Sequence, residues 1–112
     1  MIVRSAVLEG TVGEADRASF DLAMSTTVVD AIARYPRLRE VKLRKPAESE
    51  AGAPPVYMVF ELYFDSLADM HAALASPVRQ QVRAEIAAAT AAFSGRVYHL
   101  ILEDVTARGP AA

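Results

Sequence analysis

The 112-residue sequence contains no cysteine, which excludes a disulfide framework, a thiolate nucleophile and a cysteine-based zinc site. No apolar run exceeds five residues, far short of the ~20 residues that a membrane-spanning helix needs. The N-terminus also lacks the charged and apolar stretches that are typical of a signal peptide. We therefore expect a soluble, cytoplasmic protein that does not bind membranes.

An excess of either charge is also missing, because 12 Lys and Arg face 14 Asp and Glu for a net charge of −2. There is no basic tract of the kind that follows a phosphate backbone, so we expect no nucleic-acid partner. The only candidate phosphate loop, residues 10–13 (GTVG), is too short and has no lysine. Neither histidine shares a helix with a carboxylate at metal-ligand spacing, so we expect no metal and no cofactor.

What the sequence does contain is a large apolar fraction, 53% against 23% charged residues, which is typical of a folded domain. Its length suits a single hydrophobic core. We predict one domain over residues 1–106 and a flexible C-terminal tail over residues 107–112.

Two hydrophobic periods alternate along the chain. Alternation of period two predicts strands over residues 2–9, 38–45, 56–65 and 96–104. Spacings of three and four predict helices over residues 16–34, 67–75 and 77–93. Ser66 and Asp69 form a capping-box pattern, and Ser76-Pro77 is typical of a helix start. The order β-α-β-β-α-β predicts an α+β, ferredoxin-like fold, a four-stranded antiparallel sheet with helices on one face.

Alternation along each strand also predicts which side chains face the helices and which lie on the open face of the sheet. The set predicted to face the helices is Val3, Val7, Val56, Met58, Phe60, Leu62, Phe64, Tyr98, Leu100 and Leu102. The set predicted on the open face is Arg4, Ala6, Leu8, Arg44, Tyr57, Val59, Glu61, Tyr63, Asp65, Val97, His99, Ile101 and Glu103. This open face is too apolar to remain in water, so we expect a homodimer through it. Two such faces would enclose a cavity for a small apolar or aromatic ligand.

Three local patterns support this architecture: Tyr35-Pro36-Arg37-Leu38, residues 61–67 (ELYFDSL) and Ala75-Ser76-Pro77. With the plan and the length, they resemble the EthD-like branch of the dimeric α+β-barrel proteins over about residues 2–104. The resemblance implies a dimeric barrel around a hydrophobic pocket. It also implies the activities of that group, which include cofactor-independent oxygenases, lactone isomerases and operon proteins of unknown role. Relatives often carry a histidine near the position of Thr27 and a glycine at that of Arg37.

Glu61 and His99 are the candidate catalytic residues. Imidazole accepts and returns a proton near neutral pH, and a buried Glu61 would have a raised pKa suited to a general base. The alternatives are an ion pair of Glu61 with Arg4 or Arg44, and a purely structural, hydrogen-bonded His99. His71 is expected on an exposed helix surface.

Arg4, Tyr57, Tyr63 and Arg44 are the candidate ligand-binding residues, although the two tyrosines also suit a dimer interface. The first functional hypothesis is a cofactor-independent isomerase or monooxygenase acting on an aromatic or lactone metabolite. The alternative is a non-catalytic accessory or ligand-binding protein of a catabolic or biosynthetic operon. A structural dimer without a small-molecule ligand is a third hypothesis.

Overall fold

The computed structural model describes residues 1–111 and shows one four-stranded antiparallel sheet with helices on one face. The strands are β1 (Ile2–Val12), β2 (Glu40–Arg44), β3 (Val56–Phe64) and β4 (Phe93–Glu103). The helices are α1 (Arg17–Ala23), α2 (Val29–Ile32), α3 (Leu67–Leu74) and α4 (Val78–Ala89). The strand order β2-β3-β1-β4 confirms the predicted ferredoxin-like plan. Ala112, the last residue of the predicted tail, lies outside the described residues.

The helix-facing side of β3 forms the centre of the hydrophobic core. Met58, Phe60, Leu62 and Phe64 are all buried, as the alternation in this strand predicts. They pack against buried side chains of the helical layer, among them Phe20, Val28 and Ile32. The sequence predicts the buried face of β3 correctly because one of its two alternating sets of side chains is wholly apolar.

The predicted faces of β1 and β4 are wrong. Residues directly opposite each other in an antiparallel pair share a face, and Ala6 lies opposite both Phe60 and His99. The helix-facing set is therefore Arg4, Ala6, Leu8, Val97, His99, Ile101 and Glu103, and the open-face set includes Val3, Val7, Tyr98, Leu100 and Leu102. The prediction failed because both alternating sets in these strands contain apolar residues, so only the pairing decides the face.

Tyr57 also departs from its predicted place on the open face. The register shifts so that Leu8 pairs with Met58 but Glu9 pairs with Val56, which leaves Tyr57 as an extra residue. Such a bulge turns the side chain away from simple alternation. The ring of Tyr57 packs edge-on against Phe20 of α1, and the centroids are 5.4 Å apart. Its hydroxyl donates a hydrogen bond to Asp21 of the same helix, at 2.6 Å.

β1 and β4 extend beyond the predicted ranges of residues 2–9 and 96–104, because the glycines just outside those ranges lie within the paired strands. Gly10 pairs with Gly95, and their φ angles are 156° and 149°. A Cβ atom at Gly10 would lie 2.1 Å from the backbone oxygen of Ser94. Only glycine allows the two backbones to approach so closely, and the paired strands continue to Val12 and Phe93.

The helical layer covers β1 and β3 but leaves β4 exposed on both faces. Its first section runs from α1 through a π-helical turn, Met24–Val28, into α2. Helix α3 begins as predicted, because the Ser66 hydroxyl accepts a hydrogen bond from the Asp69 amide at 3.1 Å. Ser76 does not cap α4 as predicted, since its hydroxyl donates to the carbonyl of Ala73 instead. The space between α4 and the exposed strand β4 is where the candidate site lies.

Candidate functional site

A cavity of about 310 Å³ lies between α4 and the helix-facing side of the sheet. Its apolar walls are Ala6, Leu8, Met24, Phe60, Ile86 and Val97, and its polar lining is Arg79, Arg83, Thr90 and His99. A smaller cavity of about 40 Å³ adjoins it, sharing Phe60, Arg79 and His99 among others. The smaller cavity adds Arg4 and Tyr35 to the polar lining. Mostly apolar walls with a few convergent polar groups are typical of small-molecule sites.

The residues that α4 and its C-terminal cap contribute to the cavity share one side of the helix because of their spacing in the sequence. Arg79, Arg83, Ile86 and Thr90 follow each other at intervals of three and four, so they lie along one face of the helix. Val82 anchors the same helix in the core. The cavity-lining Met24 comes from the π-helical turn, a rare backbone form that often occurs at functional sites.

The cavity carries positive charge without a balancing carboxylate. Arg4, Arg79 and Arg83 take part in none of the ion pairs formed within residues 1–111. Arg79 Nη1 donates a hydrogen bond to the Tyr35 hydroxyl at 3.3 Å. Burial lowers the pKa of the Arg4 guanidinium from its ordinary value, and repulsion from Arg79 and Arg83 lowers it further.

His99 lies in the same lining, on β4, beside its cross-strand partner Ala6, and the residue is exposed at the edge of the cavity. Partial burial lowers the pKa of its imidazole below the ordinary value, and the charges of Arg4 and Arg79 add to this effect. Both causes favour the neutral form of the imidazole, which is the form that can accept a proton. Among the side-chain hydrogen bonds within residues 1–111, none involves His99.

Glu61, the second candidate catalytic residue, lies on the opposite face of the sheet from His99. It pairs with Arg44 and accepts a hydrogen bond from the Tyr63 hydroxyl at 2.9 Å. The hydrogen bond from Arg44 lowers the pKa of the Glu61 carboxyl and outweighs the opposite effect of burial. Of the two alternatives left open by the sequence, the ion pair with Arg44 is the one that forms.

The candidate residues therefore fall into three places. His99 and Arg4 line the cavity, while Glu61, Tyr63 and Arg44 form a polar cluster on the open face. Tyr57 belongs to neither group, because it contacts α1. His71 is exposed on α3, as expected, and Thr27 is exposed in the π-helical turn.

Sequence reasoning missed Arg79 and Arg83, which contribute most of the charge in the cavity. The signal was present: both lie beside the apolar stripe of Val82 and Ile86 at helical spacing. Charged residues in such positions usually extend into solvent, so the pattern alone does not reveal that a cavity lies beneath them.

No cluster of three or more His, Asp or Glu side chains within residues 1–111 is arranged to hold a metal ion. Within the same residues, no helix combines the length and the apolar character needed to cross a membrane.

Comparison with known families now adds to this geometry. The sequence matches the model of the EthD domain over residues 15–104. The chain belongs to the EthD family. The match confirms the resemblance inferred from the local patterns, and it covers α1 through β4, including most of the cavity lining. No curated protein matches the sequence.

Solved structures similar to this EthD-family protein share its fold. An ethyl tert-butyl ether d (EthD) family protein from Bacillus halodurans C-125 has 20% identity and a TM-score of 0.73, over 94% of this chain and 100% of that one. SnoaB, a cofactor-independent oxygenase from Streptomyces nogalater, has 15% identity and a TM-score of 0.61, over 95% and 94%. A dimeric ferredoxin-like protein of unknown function from Jannaschia sp. CCS1 has 18% identity and a TM-score of 0.62, over 93% and 100%. At these identities the likeness shows the fold alone.

Proposed function

We propose that this EthD-family protein binds a small, largely apolar metabolite between α4 and the sheet and acts on it without a cofactor, as an isomerase or monooxygenase. The observation that carries the proposal is the position of His99. It is the one cavity-lining group whose lowered pKa favours a neutral proton acceptor, and apolar walls surround the space beside it. The oxygenase activity of SnoaB, which has the same fold, agrees with this chemistry.

In the proposed reaction, His99 takes a proton from a hydroxyl or an activated carbon of the ligand. The ligand is left as an anion, and the guanidinium groups of Arg79 and Arg83 line the same cavity and stabilise that charge. Proton abstraction of this kind is the step that an isomerase and a cofactor-independent oxygenase share. Arg4, predicted from the sequence as a ligand-binding residue, adds positive charge in the smaller cavity that adjoins the site.

The test is a screen of enolisable and phenolic compounds for conversion and for oxygen uptake, with wild-type protein and His99→Ala. We expect His99→Ala to lower turnover by about 10²–10⁴-fold, the range for losing a general base. His71→Ala is the matched control, because His71 is exposed on α3 and lies outside the cavity. Equal turnover by wild type and His99→Ala would remove His99 from the mechanism.

A non-catalytic ligand-binding or accessory protein is the second candidate function. A catalytic base is commonly oriented by a third group, whereas none of the side-chain hydrogen bonds within residues 1–111 holds His99. Ligand binding by wild-type protein with no conversion of any bound compound would favour this function.

We also propose that the protein is a homodimer through the open face of the sheet. Leu100 and Leu102 lie on this face and are each 48% exposed, next to Val3 and Val7 of β1. The Glu61 cluster occupies the other half of the face, so an apolar half lies beside a polar one. The Jannaschia structure, with the same fold, is described as dimeric.

Sedimentation at micromolar concentration tests the dimer, which should have twice the 12.1 kDa mass of the chain. Leu100→Arg should produce the monomer, because a buried unpaired charge is strongly unfavourable at an interface. Leu22→Arg is the control, since Leu22 is also exposed but lies on α1. A wild-type protein that sediments as a monomer would contradict the proposal.

A further inference from the structure

The arginines that line the two adjoining cavities lie together without a carboxylate. Arg37, Arg39, Arg44 and Arg96 each form an ion pair with an aspartate or a glutamate. Within residues 1–111, Arg4, Arg79 and Arg83 form none, and the same is true of Arg17, Arg34 and Arg108. The first three, however, lie close together: Arg79 and Arg83 line the larger cavity, and Arg4 and Arg79 line the smaller one that adjoins it. Neither cavity has an aspartate or a glutamate in its lining. In a chain of net charge −2, this is a local excess of positive charge.

This arrangement is unfavourable for the protein without a ligand. Three guanidinium groups repel one another, and the half-buried Arg4 has also lost part of its hydration. Apolar side chains such as Leu8, Met24 and Phe60 line the rest of the space and lower its polarity, which strengthens any charge interaction inside it. An anion that enters the cavity would relieve the repulsion and meet several donors at once.

The groups present also define the kind of anion. A guanidinium group offers paired N–H donors that match the two oxygens of a carboxylate. The apolar walls accept a hydrocarbon body, and a volume of about 310 Å³ is at the small end of the range for ligand pockets. We propose that the cavity selects a small organic acid, with its carboxylate among Arg4, Arg79 and Arg83 and its apolar body against Phe60 and Met24. This inference rests on the proposed function, because it requires that the cavity binds a ligand.

The test compares two probes of nearly equal shape, 2-naphthoate and the uncharged 2-naphthalenemethanol, by isothermal titration calorimetry with the wild-type protein. We expect naphthoate to bind at least tenfold more tightly, because hydrogen bonds to a charged group contribute more than those to a neutral one. Added NaCl should reduce the preference, since salt screens charge interactions at the mouth of the cavity.

Variants then connect the preference to the cavity. Arg79→Gln and Arg83→Gln should each weaken naphthoate binding about tenfold or more and leave the alcohol nearly unchanged. Arg83→Lys keeps the charge but not the paired donors, so it should retain part of the preference. Arg34→Gln is the control, because it removes the same charge from an exposed position outside both cavities.

A second readout does not depend on affinity. Bound naphthoate places a negative charge near His99 and should raise the pKa of its imidazole, as measured by an NMR titration of the imidazole protons. The imidazole signals of the exposed His71 should not change when naphthoate is added, and they serve as the internal control.

The outcomes separate this inference from the proposed function. Equal affinity of wild-type protein for the two probes would overturn the selection of an acid and would leave ligand binding in the cavity intact. Binding of neither probe would overturn both. A preference for naphthoate that survives in both Arg→Gln variants would place the acid outside the cavity and would also overturn the inference.

Discussion

The replacement of Phe60 by alanine tests whether the cavity exists in solution. Phe60 is 3% exposed and lines both cavities, whereas Phe64, two residues along the same face of β3, is 0% exposed and lines neither. Both rings belong to the same core, so Phe64→Ala is a matched control for the loss of an aromatic side chain. A smaller loss in the free energy of unfolding for Phe60→Ala than for Phe64→Ala would therefore reflect the empty space next to Phe60.

The expected magnitudes follow from packing. Replacing a buried phenylalanine by alanine lowers the free energy of unfolding by about 3–5 kcal/mol. Part of that loss comes from the new void, about 2 kcal/mol for a closed void of roughly 100 Å³ at ~24 cal/mol per Å³. Phe64→Ala creates such a void, while Phe60→Ala enlarges a cavity that already lacks packing partners on one side. We expect losses near 5 kcal/mol for Phe64→Ala and near 3 kcal/mol for Phe60→Ala.

Urea unfolding at one fixed protein concentration measures the two values, because an associating protein changes apparent stability with concentration. A difference of about 2 kcal/mol corresponds to about 8–16 °C between the two melting temperatures. If the alanine variants do not fold, Phe60→Leu and Phe64→Leu should show the same ranking. An equal or larger loss for the Phe60 variants would mean that the space between α4 and the sheet is filled, and the cavity-based proposals would fail with it.

Two further predictions concern charged residues. Glu61→Gln should destabilise the protein at pH 7, because Arg44 lowers the pKa of Glu61 in the folded protein. This contribution should be complete above the ordinary value of 4.5 and should be lost as the pH falls through the lowered pKa of the folded protein. Thermal unfolding from pH 3 to pH 7 measures this, and a difference from wild type that does not shrink between pH 7 and pH 3 would contradict it. Arg37 has a φ of 66° and pairs with Asp69, so Arg37→Gly and Arg37→Ala both lose the ion pair but only glycine relieves the backbone. The glycine variant should therefore be about 1 kcal/mol more stable than the alanine variant in urea unfolding, and equal stability would refute the reasoning.

The fold could be predicted from the sequence because local signals for its elements agree with one another. Pro36, the Ser66 cap and the alternation of β3 each indicate an element boundary or a buried face, and each is consistent with the ferredoxin-like order. The two strands that are longer than predicted, β1 and β4, meet at a pair of glycines. Gly10 and Gly95 look like strand ends in a sequence, but their missing side chains serve the close approach of two strands.

The candidate site was harder to predict because it depends on pairing between distant strands. The face on which His99 lies follows from its pairing with Ala6, which in turn pairs with the buried Phe60. Both of these residues are far from His99 in the sequence. A shift of one residue in register exchanges the two faces of a strand, and β1 and β4 carry apolar residues on both. The predicted face of Tyr57 was wrong for a related reason, because the residue types around it do not indicate the bulge.

The true register changes the chemistry that the protein can perform. With Glu61 and His99 on one face, a carboxylate and an imidazole would act together as an acid–base pair or hold each other in an ion pair. The sheet separates them, so the two adjoining cavities contain guanidinium groups and the imidazole of His99, whose lowered pKa favours the neutral form, but no carboxylate. Such a site opposes the binding of a cation and favours an anion, whether the anion arrives as one or forms when His99 removes a proton. The carboxylate of Glu61 is instead neutralised by Arg44 on the open face, where an unpaired charge would oppose the proposed contact with the sheet of a second protomer.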